Sequence, residues 1–130
     1  MRTRGTYRVA SERAATALWD GDRLPGPWLT LRAVDAAVER AQGAGSGTVV
    51  IRRSHHIGCL AAYLTRATDR GCALLLSCSD PNAASVAPHG GLAPVFTPDP
   101  LAFGVPTSGD PVLIDLSASL TTNGMAAHLH

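Results

Sequence analysis

The feature that most constrains the fold is a change of periodicity near residue 52. Gly47-Thr48-Val49-Val50-Ile51 is a short apolar, β-branched run with the composition of a buried strand. Beyond it, Ile57, Leu60, Ala61, Leu64 and Ala67 recur at three- and four-residue intervals, the spacing of one helix face. Arg52-Arg53-Ser54-His55-His56-Ile57-Gly58-Cys59 therefore sits where a strand hands over to a helix. In this reading Ser54 is the N-cap, its hydroxyl accepting a bond from an orphan amide of the first turn. His56 then lies in that turn, where the positive helix end favours neutral imidazole and attracts phosphate. Such a histidine suits proton transfer beside a nucleotide.

A similar unit precedes this one. Ala14 to Trp19 reads as a strand ending at the turn Asp20-Gly21-Asp22, and Leu24 to Pro27 reads as a loop. A helix is expected from about Trp28 to Gln42, with Leu31, Val34, Val38 and Ala41 buried and Arg32, Asp35, Glu39 and Arg40 outside. Gly43 would end it. The second helix would run to about Arg70 and stop at Gly71, before the continuous apolar run Cys72 to Cys78, read as a buried strand. Two strand–helix units in succession imply a parallel pair with a right-handed crossover. Met1 to Arg13 is polar and reads as extended or loose.

The pattern then changes. Ser79 to Pro100 is rich in Pro, Gly, Ser and Asp, and a long segment of that kind in a compact domain is usually functional. Leu101–Val105 and Val112–Leu116 read as strands joined by a tight turn at Pro106 to Pro111. Ala126 to His130 has helical composition. The expected fold class is α/β, a mixed sheet flanked by helices.

Composition removes several function classes. The chain has 130 residues, 45% of them apolar, enough for one domain with a core. With 11 basic and 10 acidic residues the net charge is +1, which offers no argument for nucleic acid or a membrane surface. No apolar segment follows Arg2, Arg4 and Arg8 as a secretory signal requires, and none is long enough to span a bilayer. Cys59, Cys72 and Cys78 are odd in number and read as reduced, buried thiols of a cytoplasmic protein. No metal site is expected, since the cysteines and histidines fit no compact ligand spacing.

Other candidate features admit two readings. Gly43-Ala44-Gly45-Ser46-Gly47 follows a helix and precedes a strand, so it is a connector rather than a dinucleotide fingerprint. Asp115 ends a strand and either holds a ribose hydroxyl or caps a following helix with Ser117 or Ser119. Arg52 and Arg53 either clamp an anion or form a solvated pair. His55 reads as a neighbour without a chemical role. His89-Gly90-Gly91 either approaches a ligand or is a loop tip.

Four motifs occur in order: Arg53-Ser54-His55-His56-Ile57-Gly58, Pro88-His89-Gly90-Gly91, Thr97-Pro98-Asp99-Pro100-Leu101-Ala102, and Leu113-Ile114-Asp115-Leu116-Ser117-Ala118-Ser119. Together with Asp20-Gly21 and the helix after it, they resemble the malate/L-lactate dehydrogenase family, NAD(P)-dependent oxidoreductases with a non-Rossmann fold. The resemblance runs from about Ala14 onward. It implies residues 1–130 as a single, incomplete NAD(P)-binding domain. It also implies hydride transfer between NAD or NADP and a small 2-hydroxy, or 2-imino or amino, acid. His56 matches the histidine that exchanges the substrate proton and lies against the cofactor. Ile57, Gly58, Cys59 and Leu60 match the turn along the cofactor, and Asp115, Leu116 and Ser117 match a strand end that holds it. Thr97 matches a Gly-Thr-Asn-Pro loop near substrate, although this chain reads Thr97-Pro98-Asp99-Pro100. Family members are more than twice this length. The resemblance places outside these residues an N-terminal Ser-His-Arg group and a C-terminal cofactor-binding lysine. It implies a homodimer for the complete enzyme. The alternative is a non-catalytic remnant, a structural or nucleotide-binding lobe.

Overall fold

The computed structural model describes residues 5–80, 82, 84–119 and 125. The elements, in chain order, are β1 (Arg8–Glu12), β2 (Thr16–Asp20), α1 (Gly26–Ala44), β3 (Thr48–Arg52), a 3-10 turn (Leu60–Tyr63), α2 (Thr65–Thr68), β4 (Leu74–Ser77), β5 (Leu101–Val105) and β6 (Val112–Leu116). They form two three-stranded sheets, β1-β2-β3 and β4-β5-β6.

The first sheet is mixed. β2 and β3 run parallel, with Thr16 opposite Thr48 and Asp20 opposite Arg52, and α1 is the connection between them. β1, in the segment expected to be extended or loose, is an antiparallel edge strand with an irregularity between Val9 and Ser11. Its exposed residues are held from outside: Arg40 of α1 pairs with Glu12, and Tyr7 stacks on Trp19 with ring centroids 4.2 Å apart.

Helix α1 extends beyond the expected bounds at both ends, and Gly45 rather than Gly43 closes it, donating its N–H to Ala41 O at 2.8 Å. Its buried stripe is Gly26, Leu29, Thr30, Ala33, Val34 and Val38, while Leu31 is exposed. Val34 and Val38 are buried as expected and Ala41 is half-buried; the helix is rich in alanine, which contrasts weakly with either face, so spacing alone placed only part of the stripe. Ala33 packs with Ala17 and Trp19 against the first sheet. Val34 and Val38 pack with Tyr63 and Ala67 on the side of the second. One helix thus supplies core to both halves.

The second sheet departs from expectation. β4 does not continue a parallel series; it pairs antiparallel with β5, and β5 with β6. Its burial alternates instead of running continuously, because only one face of the sheet is covered. Leu60, Leu64 and Ala102 form the core beneath that face, with Leu74 and Leu76 against them. β5 and β6 occupy the expected residues, and Thr107 Oγ1 stabilises their turn by donating to Asp110 O at 2.8 Å and accepting from Gly109 N–H at 3.0 Å. The long loop before β5 carries one bridge, between Val86 and Phe96. The helical composition at Ala126 to His130 lies outside the described residues.

Candidate active site

No α-helix begins at Ser54. Residues 54–59 form an irregular turn, regular structure resumes in the 3-10 turn at Leu60, and α2 follows only at Thr65. Ser54 is not an N-cap; its hydroxyl donates to the carbonyl of His55 at 3.0 Å. His56 therefore lies in no helical first turn, and the dipole argument for a neutral ring does not apply. A hydrogen bond orients the ring instead. The Gly58 N–H donates to His56 Nδ1 at 3.2 Å, which leaves Nε2 to carry the proton of the neutral ring. The ring is exposed. Gly58 has φ +79, a conformation glycine adopts without a Cβ penalty, and the space where a Cβ would stand is open.

The turn is held at three points. At its start, Arg53 has a left-handed φ of +56, uncommon for a residue with a side chain. Its guanidinium binds Asp20 through Nε at 2.8 Å and a terminal nitrogen at 2.7 Å. Asp20 is 3% exposed and ends β2. Arg52 and Arg8 also approach it, at 3.3 and 3.6 Å. The Arg53 hydrogen bond holds its carboxyl down at about 2, against the opposing effect of burial, with help from the Asp22 N–H and the charges of Arg53 and Arg52. The arginine pair thus turns to the protein's own carboxylate. In the middle, the Tyr63 hydroxyl donates to Ile57 O; burial pushes that phenol's pKa up. At its end, Asp115 Oδ2 accepts the Ala61 N–H at 2.7 Å and the Cys59 thiol at 3.4 Å. Asp115 caps the 3-10 turn across the chain; a helix after it lies outside the described residues.

This arrangement sorts the expected residues. His56, Ile57, Gly58, Cys59 and Asp115 come together. Leu60 is buried in the core. Leu116 alternates to the face of β6 opposite Asp115. Ser117 donates to Ser119 O at 3.1 Å, and the adjacent Ala118 N–H bonds Pro98 O at 2.8 Å, which brings the strand end beside the Thr97–Pro100 loop. Thr97 lines a separate cleft with Ser79, Asp80, Phe96 and Asp99. No hydrogen bond joins it to His56 among the described residues. His89-Gly90-Gly91 is a loop tip, where Gly91 N–H bonds Pro88 O at 2.8 Å. His55 is half-buried, and its Nε2 has no hydrogen-bond partner among the described residues. Cys59 is exposed and Cys72 and Cys78 are half-buried, all three free, so the expectation of buried thiols fails for Cys59. Burial raises the Cys78 pKa, helped by Asp99 and Asp115. Among the described residues no group of His, Cys, Asp or Glu is arranged to hold a metal. Sequence reasoning missed Asp20 and Tyr63, which hold this turn. Only the first had a signal, a carboxylate just after an apolar strand.

The same geometry tests a nicotinamide nucleotide. A phosphate is disfavoured at the Ala61 amide, which is already bonded to a carboxylate whose charge would repel a second anion. A sugar fits better, because Asp115 Oδ1 has no partner among the described residues and can accept a hydroxyl proton.

Among the described residues no helix is long and apolar enough to cross a membrane. The family model for malate/L-lactate dehydrogenase matches residues 1–130. The chain is 32% identical over 118 residues to a malate dehydrogenase of Pyrococcus abyssi, covering 90% of this chain and 32% of that protein. It is 36% identical over 94 residues to a (2R)-3-sulfolactate dehydrogenase (NADP(+)) of Chromohalobacter salexigens, covering 72% and 28%. Its fold superimposes on a malate dehydrogenase from Entamoeba histolytica with a TM-score of 0.83 and 27% identity, over 95% of this chain and 34% of that one. The chain spans about a third of the length of these relatives. With residues 1–130, all of this chain, matched by the family's model and its fold shared with a solved malate dehydrogenase, this chain belongs to the malate/L-lactate dehydrogenase family.

Proposed function

We propose that this chain carries the proton-transfer and cofactor-facing part of an oxidoreductase that moves hydride between NAD or NADP and a small 2-hydroxy acid. The observation that carries the reading is His56: exposed, with Nδ1 held by Gly58 and Nε2 left to meet a substrate oxygen. The relatives' names support the substrate class, since malate and 3-sulfolactate are both 2-hydroxy acids, and one name specifies NADP. A nicotinamide nucleotide, when bound, supplies and accepts the hydride. In reduction His56 donates its Nε2 proton to the oxygen of a 2-oxo acid as the hydroxyl forms; in oxidation it takes that proton back. Asp115 Oδ1 accepts a ribose hydroxyl, Ile57, Gly58 and Cys59 lie along the nucleotide, and Ser117 and Thr97 border the site from the strand end and the loop. The complete enzyme acts as a homodimer in the cytoplasm.

The test is oxidation of NADH and NADPH with oxaloacetate, pyruvate and 3-sulfopyruvate by this chain joined to the flanking parts of a relative. Steady turnover is expected, lowered about a hundred- to ten-thousandfold in His56→Ala and little changed in His55→Ala. An equal rate in His56→Ala would show that another group handles the proton. A second reading, a non-catalytic nucleotide-binding or structural lobe, draws on the exposed apolar face of the second sheet, which has the character of a docking surface. A folded chain that turns over none of these acids with either cofactor would favour it.

A further inference from the structure

We infer that Gly26 is a positioning residue for His56, and that the segment from Asp20 to Gly26 is the template on which the histidine turn is set. The inference rests on the reading of His56 as the proton-transfer group. Gly26 opens α1 and is buried. A Cβ at this position would overlap the carbonyl oxygens of both His55 and His56 and come within 2.8 Å of the His56 carbonyl carbon. All three are backbone atoms, which cannot swing aside as the end of a flexible side chain does. The start of the helix is therefore pressed directly against the peptide groups that carry the two histidines.

The rest of the segment holds the residues just before them. Gly21 N–H donates to Arg52 O at 2.9 Å and Arg23 N–H to Arg53 O at 2.8 Å. Asp20 grips the Arg53 guanidinium at two nitrogens. The turn is thus seated along the segment from Arg52 to His56, and only the ring of His56 is left to orient. The Gly58 N–H does that, at 3.2 Å, already long for such a bond. Room for a methyl at residue 26 requires the His55–His56 backbone to lift by about 1 Å, the scale at which a misplaced reacting group loses on the order of a hundredfold in rate. The same lift breaks the Gly58 bond and frees the ring.

A plain packing role for Gly26 makes a different prediction, and Gly47 separates the two. A Cβ at Gly47 would overlap Ala37 O and stand 2.9 Å from the Ala37 carbonyl carbon, a backbone clash of the same kind. Ala37 is about 16 Å along α1 from Gly26 at 1.5 Å per residue. The experiment records imidazole nitrogen–proton correlation spectra of the whole chain labelled with 15N-histidine, with His56→Gln for assignment. In the unaltered chain His56 is expected as the Nε2-protonated tautomer with Nδ1 accepting a bond. In Gly26→Ala its resonances should shift toward a tautomer average, while Gly47→Ala should lose thermal stability with the His56 signals in place. An unmoved His56 signal in folded Gly26→Ala, or an equal shift in Gly47→Ala, overturns the inference. If Gly26→Ala does not fold, Asp20→Asn carries the test, with a shifted His56 signal expected and an unshifted one overturning it. The spectrum reads the geometry of the ring whether or not it transfers a proton. Failure of the functional reading would show separately, as an unchanged rate in His56→Ala.

Discussion

Asp20 is a buried carboxylate made tolerable by its partners. It is nearly sealed from solvent and faces Arg53, Arg52 and Arg8, so removing the charge leaves arginines assembled around nothing. Its pKa is lowered from 3.8 to about 2. A group depressed on folding stabilises the native state above its unfolded pKa and loses that contribution as pH falls through the folded one. Asp20 should therefore stabilise the chain fully above about pH 4 and progressively less down to about pH 2. Asp20→Asn should lower the denaturant midpoint at pH 7 and converge on the unaltered chain near pH 2. Parallel midpoints at every pH would mean that the arginines hold the turn without it. The left-handed Arg53 belongs to the same feature, because the ion pair restrains a backbone conformation that its own side chain disfavours.

Among the elements, the short 3-10 turn is the one that depends most on the rest of the molecule. Leu60 to Tyr63 is four residues long, too short to persist on local bonds alone. It has no side-chain cap of its own; Asp115 supplies one from β6, and Tyr63 ties it back to Ile57. Asp115→Ala should cost about 1 kcal/mol, the usual cost of a lost cap, and should expose the Cys59 thiol to faster alkylation. Asp115→Asn keeps an acceptor oxygen and should recover most of the stability, measured by denaturant unfolding. Equal losses in the two variants would mean that the charge, not the bond to Ala61, holds β6 to the turn. Helix α1 is the opposite case, an element whose length was legible in outline and whose stripe was legible only at Val34 and Val38, since Ala33, Ala36, Ala37 and Ala41 mark no face strongly.

For the molecule as a whole, the two faces of the second sheet are unequal. One packs on Leu60, Leu64 and α2. The other displays Leu75, Leu101, Phe103, Val112, Ile114 and Leu116, with Leu75 65% and Leu116 53% exposed. Such a face, on a sheet whose edge strand β6 is exposed along its length, favours association through surface and edge alike. The isolated chain should self-associate in sedimentation velocity. Ile114→Lys, a charge on the edge strand, should raise the monomer fraction while changing stability by no more than about 0.5 kcal/mol. A monodisperse monomer in the unaltered chain would refute this.

The sequence by itself determined what depends on near neighbours. The β-branched run of β3, the runs of β5 and β6, the Thr107 turn, the helical character of α1 and the ordered motifs around His56 are local patterns, and the family resemblance rests on them. The tertiary structure decided what depends on partners far along the chain. β4 joined β5 rather than the parallel pair, because a short apolar strand carries no record of its neighbour's direction. The helix expected to begin at Ser54 was displaced to Leu60 and beyond, because Arg53 is drawn to Asp20, thirty-three residues away, and the Ala61 amide to Asp115, fifty-four away. No spacing rule near His56 can see either partner. For the same reason the source of the His56 tautomer, a bond from Gly58, and the close seat on Gly26 emerged only when the chain was folded.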